Sequence, residues 1–231
     1  MNKLSEKLTL EGCVGSLEAV LDHPSDEESG ARLVGTAIIC HPHPLFGGTM
    51  DNKVVQTLAR AFLARGWKSL RFNFRGVGQS QGEHDNGVGE VADLLKIIQQ
   101  VAPSGPIALA GFSFGAFIAS HGVQAMGEQG RAPTDAAQTT DTADASMNAD
   151  LKKIVLVGTA TTRFDVRPIA PALHSRTLII HGEEDDTVPL SSVMDWARPQ
   201  VIPVTVVPAV GHFFHGQLPL LKSLVVQHLK D

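Results

Sequence analysis

One serine in this chain sits between two glycines in a setting that can make it a nucleophile. Gly111-Phe112-Ser113-Phe114-Gly115 follows the apolar run Ile107–Ala110 and precedes the helix-compatible run Ala116–Ser120. A G-x-S-x-G turn between strand and helix holds its serine in a strained backbone conformation and presents the hydroxyl at the tip. Glycines flank it because side chains there would strike the neighbouring strand and helix. A serine hydroxyl stays a poor nucleophile until an imidazole takes its proton, and the imidazole needs a carboxylate to fix its tautomer. Both follow along the chain in the order Ser, Asp, His. Thr177–Ile180 reads as a buried strand and runs into His181-Gly182-Glu183-Glu184-Asp185-Asp186. Val204–Val207 reads as another strand, with Gly211-His212 beyond it. Acid and base therefore fall past the carboxyl ends of strands, where open α/β sheets keep their sites.

Two further loops stand out: His41-Pro42-His43-Pro44-Leu45-Phe46-Gly47-Gly48, and Phe74-Arg75-Gly76-Val77-Gly78-Gln79-Ser80-Gln81-Gly82. With them the chain resembles the α/β-hydrolase superfamily, and within it a group of small cap-less bacterial serine hydrolases. The resemblance runs from about Leu33 to the C-terminus, apart from one insertion. It implies an α/β fold, a mostly parallel doubly wound sheet flanked by helices, and a serine hydrolase working through an acyl-enzyme without a cofactor. The motif Gly182-x-x-Asp185-x-x-Val188-Pro189 matches the family pattern at Asp185. The implied triad is Ser113 as nucleophile, His212 as general base and Asp185 as acid, with Asp186 as the alternative acid. The oxyanion hole would use the Phe114 N–H and one N–H of the His41–Gly48 loop. Pro42 and Pro44 have no N–H, which leaves His43, Leu45 or a later residue. Leu45 is the choice, with His43 as the alternative.

The partner implied is a small-molecule carboxylic ester. A thioester, lactone or small amide would need the same parts, and a non-catalytic ligand-binding homologue would keep the fold alone. The ten histidines invite a metal reading at His41-x-His43, at His181 with Glu183–Asp186, and at His212-x-x-His215. No helical H-E-x-x-H or cysteine set accompanies them, so no metal is expected. Instead, His41 and His43 are expected to hydrogen-bond within their loop, His215 to begin the last helix, and Asn73 and Arg75 to form a structural bracket.

A net charge of −5 with scattered Lys and Arg gives no reason to expect nucleic acid or an anionic membrane as partner. Met1–Lys7 carries no apolar signal core, and no run approaches membrane-spanning length. Cys13 and Cys40 can form at most one bridge, and Cys40, closing an apolar strand, reads as a buried thiol. A cytoplasmic location is expected. With no tyrosine present, aromatic walls near the site must come mostly from phenylalanine. Phe46, Phe114 and Phe213 are candidates to line an apolar pocket, Phe46 and Phe213 as the substrate-binding pair.

These residues need a scaffold. Leu8–Glu11 and Ser16–Leu21 alternate and bracket Gly12–Gly15, which predicts an opening antiparallel hairpin. His23–Ala31 reads as a polar turn. Thr36–Cys40 is a continuous apolar run, as a strand buried on both faces requires. A helix capped at Asp51 or Asn52 runs to about Arg65 and ends at Gly66. Strand Trp67–Phe74, helix Gly89 to about Val101 and strand Ile154–Gly158 follow, and Leu218–Leu229 closes the single domain as a packed helix. Thr159–Arg176 is too short for a helical cap, so the site should be open. Residues 127–150, rich in Ala, Thr, Asp and Gln, lack an apolar period and read as a flexible insertion, with a weak Ala-rich helix as the alternative.

Overall fold

Continuous apolar runs demand cover on both faces, and that demand organises the computed structural model, which describes residues 4–25, 33–129 and 148–230. Eight strands form one sheet: β1 (Ser5–Glu11), β2 (Ser16–Asp22), β3 (Gly35–Cys40), β4 (Trp67–Phe72), β5 (Ser104–Phe112), β6 (Asn148–Val157), β7 (Thr177–Gly182) and β8 (Thr205–Val207). Their order is β1-β2-β4-β3-β5-β6-β7-β8. The hairpin β1–β2 and the pair β2–β4 are antiparallel, and every pairing from β4 to β8 is parallel. The helices are α1 (Lys53–Leu63), α2 (Val88–Val101), α3 (Phe114–Gln129), α4 (Leu190–Ala197) and α5 (Leu218–His228).

Side chains alternate between two cores with the period of two that a strand imposes. Ile38, Leu109 and Ile154 face a core closed by α2, α3 and α4. Ile39, Ala110 and Val155 face a second core closed by α1 and α5. The chain lays β4 to one side of β3, then returns across it to lay β5 on the other. Sheets built this way open a crevice at the carboxyl ends of the two strands flanking the reversal. Here those strands are β3 and β5. They lead into the His41 loop and the Ser113 turn.

Several boundaries differ from those read in the sequence. β4 stops at Phe72 because the next backbone groups bond elsewhere: the Phe74 N–H donates to His41 Nε2 (3.0 Å), and Ser80 Oγ donates to the Asn73 carbonyl (2.8 Å). β5 begins three residues earlier than its apolar run, and β6 six residues earlier than Ile154. Their leading ends pair with each other from Ser104↔Asn148 onward. On β5 these positions are exposed or half-buried, so no apolar pattern marked them. Gly127–Gln129 belong to α3 and Asn148–Asp150 to β6; residues 130–147 of the expected insertion lie outside the described residues, as do residues 26–31 of the expected polar turn. Helix α4, with only Val193 and Ala197 buried, had too short an apolar pattern to be read. The 158–176 connection contains one 3₁₀ turn, Pro171–Arg176, and no cap domain.

Candidate active site

The turn from β5 into α3 puts Ser113 at φ 58°, in the left-handed region that a serine rarely adopts. Its flanking glycines are forced by contact. A Cβ on Gly111 would lie 2.1 Å from the Gly115 carbonyl oxygen, and one on Gly115 would lie 2.2 Å from that of Cys40. The Ser113 N–H donates to the Val157 carbonyl (2.8 Å), which ties the turn to β6.

From this tip the hydroxyl meets the imidazole: Ser113 Oγ donates to His212 Nε2 across 3.0 Å. On the far side of the ring, His212 Nδ1–H donates to Asp185 Oδ2 at 2.7 Å. All three side chains are buried. Asp185 is held from its other oxygen, where Oδ1 accepts the N–H groups of Thr187 (3.0 Å) and Val188 (2.7 Å). Asp186, by contrast, is exposed and, among the described residues, accepts only the Thr187 hydroxyl at 3.3 Å. A second histidine braces the acid: His181 Nε2–H donates to the Val188 carbonyl (2.8 Å) and lies 3.5 Å from Asp185 Oδ2. Burial pulls its pKa down, so this imidazole is neutral.

The loops carrying acid and base are joined to each other. Glu183 N–H donates to the Val207 carbonyl, Glu184 N–H to that of Val210, and Ala209 N–H to Glu183 Oε2, each at 3.0 Å. His215 is exposed and sits in the turn before α5, which starts at Leu218; the expectation that it begins the helix is corrected.

The loop after β3 faces the serine. Its base is fixed by His41, fully buried, whose Nδ1–H donates to the Pro42 carbonyl (2.6 Å) while Nε2 accepts from Phe74. Burial pushes the His41 pKa down to about 4. Farther along, a tight turn spends the loop's N–H groups. Leu45 N–H donates to His43 Nδ1 (3.2 Å), Phe46 and Gly48 to the His43 carbonyl, and Gly47 to that of Pro44. Leu45 is therefore corrected as the second oxyanion donor: its N–H is already engaged and its side chain is 70% exposed. His43 keeps a backbone N–H with no acceptor among the described residues. Phe114, the first residue of α3, has its N–H at the open end of the helix, where anions are favoured.

Beside the serine lies a cleft of about 370 Å³, lined by His43, Phe46, Arg163, Thr187 and Phe213 around Ser113 and His212. Phe46 and Phe213 stand 72% and 45% exposed on its walls. The Phe114 ring does not reach it. That ring is fully buried, packed against Phe74, Phe117 and Phe164, because it points from the helix start into the core.

Behind the His43 loop lies a polar cluster that the sequence did not disclose. Glu90 is fully buried and accepts from His84 Nδ1 (2.8 Å) and from the N–H groups of Asp85 and Gly87. The His84 ring packs 4.9 Å from that of His43. Next to it, Arg75 donates to Asp93 (2.8 Å) and to the Gly89 carbonyl, the bracket expected of Arg75. Asn73 accepts from Met50 N–H and donates to Glu18. Glycine at 87 with an acid three residues on is a helix-start signal, and it was the one cue available for Glu90. Among the described residues no three His, Cys, Asp or Glu side chains are grouped as a metal site, and no helix is long and apolar enough to cross a membrane. Cys13 and Cys40 are both free, Cys40 buried.

A family model described as the alpha/beta hydrolase fold matches residues 39–124, the segment from the end of β3 through the serine turn into α3. Among solved structures, an α/β serine hydrolase without lid from Xanthomonas campestris is 32% identical, covering 100% of this chain and 95% of its own, with a TM-score of 0.79. An α/β serine hydrolase homologue from Coxiella burnetii is 36% identical, covering 97% of each chain, with a TM-score of 0.73. An uncharacterized protein of Rickettsia prowazekii (strain Madrid E) is 48% identical over 87 residues, and the chain spans only 37% of that curated relative. The fold, the serine turn and these likenesses together mean that the chain belongs to the α/β serine hydrolases.

Proposed function

We propose that the protein is a cofactor-free carboxylesterase acting on small esters through an acyl-enzyme. The observation that carries this reading is the continuous hydrogen-bonded chain Ser113–His212–Asp185 opening onto a cleft of small-molecule size. His212 Nε2 takes the Ser113 proton as Oγ attacks the ester carbonyl. Asp185, locked by two N–H groups, keeps the Nδ1–H tautomer and stabilises the imidazolium. The tetrahedral oxyanion is received by the N–H groups of Phe114 and His43. His212 then protonates the leaving alcohol, and a water, deprotonated by the same ring, releases the acid. Phe46 and Phe213 supply the apolar walls for the substrate. A cytoplasmic location, with neither nucleic acid nor membrane as partner, goes with this reading.

Labelling tests the assignment directly. A fluorophosphonate probe should modify Ser113, and Ser113→Ala should abolish both labelling and p-nitrophenyl butyrate hydrolysis while the melting curve stays cooperative. Full labelling of the Ser113→Ala protein would end the serine-hydrolase reading.

A further inference from the structure

Arg163 stands out in the cleft. It belongs to the connection that follows β6, and it lines the same small space as Ser113 and His212. Its guanidinium carbon sits 5.4 Å from the centroid of the Phe46 ring. A guanidinium lying on an aromatic face keeps its N–H donors in its own plane, where they remain free to fork onto a planar anion. No carboxylate among the described residues is within ion-pairing distance of it. Its neighbour Asp165 pairs instead with Arg167 (3.2 Å), while Arg71, Arg75 and Arg198 all have acidic partners. Among the described residues, none of the side chains lining the cleft is a carboxylate. In a chain with a net charge of −5, the described residues that line the space beside the nucleophile thus include one arginine and no carboxylate. Its charge is felt across the cleft: after burial and the nearby His84, Arg163 is a cause of the lowered pKa of His43. Arg163 is the one Lys or Arg among the described residues that line the cleft, so the site suits one carboxylate better than a phosphate dianion.

We infer that the ester accepted at Ser113 carries a carboxylate, received by Arg163 at the rim of the cleft. The inference rests on the esterase reading for the reaction, and on Arg163 alone for the anion. The measurement is a ratio of kcat/KM values for anionic and neutral esters of matched length. Mono-p-nitrophenyl glutarate against p-nitrophenyl hexanoate tests the acyl side, and 4-butyryloxybenzoate against phenyl butyrate tests the alcohol side. For at least one pair, Arg163→Gln should lower the anionic-to-neutral ratio about tenfold, or ~1.4 kcal/mol. Arg163→Lys should keep most of the ratio and Arg163→Glu should lower it further. In the unmutated protein, 0.5 M salt should narrow it. Ratios indifferent to all three variants, with esters still hydrolysed, would overturn the inference and leave the esterase reading standing. A second arm needs no turnover: NMR titration of the Ser113→Ala protein with monomethyl glutarate and with methyl butyrate. Binding of the first that is lost with Arg163→Gln upholds the anion site even if no ester is cleaved. Equal, Arg163-independent binding of both ligands counts against it.

Discussion

Asp185→Asn gives the sharpest test of how the site works, because the structure fixes what the new amide must do. In the native site Oδ1 accepts two backbone N–H groups, from Thr187 and Val188, and Oδ2 faces His212 Nδ1. An asparagine amide has one oxygen to place. Turning its NH₂ toward the two backbone donors would leave the buried Val188 N–H unsatisfied, at about 1–3 kcal/mol, and the part-buried Thr187 N–H with it. The oxygen therefore stays on the backbone and the NH₂ points at His212. A donor facing Nδ1 forces the proton onto Nε2, the atom that must accept from Ser113. The base is then in the wrong tautomer, though hardly an atom has moved. The expected loss in kcat is about 10⁴-fold, or ~5 kcal/mol of transition-state stabilisation. Asp186→Asn, at an exposed carboxylate outside the triad, should change kcat less than twofold. Hydrolysis of p-nitrophenyl butyrate measures both, with thermal melts to exclude unfolding. A folded Asp185→Asn protein within tenfold of the native rate, or a hundredfold loss in Asp186→Asn, would refute the tautomer argument.

Hydrolysis of p-nitrophenyl esters should peak at acyl chains of roughly two to six carbons. Each buried CH₂ contributes about 0.8 kcal/mol, near fourfold in kcat/KM, only while the walls of a 370 Å³ cleft last. Efficiency rising steadily to twelve carbons would contradict that. Replacing residues 131–146 by a short Gly/Ser linker should leave esterase activity within twofold, since Ser113, Asp185 and His212 all lie outside that stretch in the sequence and loop closure costs little; a large loss with stability intact would make it part of the site. Acid should weaken the fold through His41. Unfolded, this imidazole protonates near pH 6.5, whereas folded it stays neutral down to about 4, so its contribution is complete above 6.5 and lost as pH falls toward 4. The loss, up to about 3 kcal/mol, would appear in urea denaturation at pH 7, 5.5 and 4.5, and a flat profile would argue against a neutral buried His41.

What the sequence disclosed and what it withheld divide along physical lines. The serine turn was legible because only glycine fits where a Cβ would meet a carbonyl oxygen at 2.1–2.2 Å. Asp185 and His212 were legible because parallel strands deliver their sites at one end of the sheet. The free N–H of the loop after β3 was not. Which N–H remains free depends on a turn in which the His43 side chain captures the Leu45 N–H, and a residue list does not encode that capture. Phe46 and Phe114 look alike in sequence, yet one stands in the cleft and the other in the core, because one lies on a projecting loop and the other begins a packed helix. Nothing in the sequence marks Glu90 and Asp93 as buried. Their burial depends on His84 and Arg75, which reach them from the preceding loop. Arg163 carried no motif at all.

The hydrogen bonds that join the acid loop to the base loop divide the machinery between two units of stability. Ser113 hangs from β5, in the middle of the sheet with cores on both sides, whereas His212 follows β8, a three-residue strand at the sheet edge. Short edge elements open at lower free energy than central ones. Because Glu183, Glu184 and Ala209 bridge the two loops, opening of that edge carries Asp185 and His212 away together from a serine that stays in place. Warming should therefore silence the enzyme reversibly below its melting temperature. Amide hydrogen exchange would show the acid loop (183–187) and the base loop (208–212) opening together while the amides of β5 remain protected.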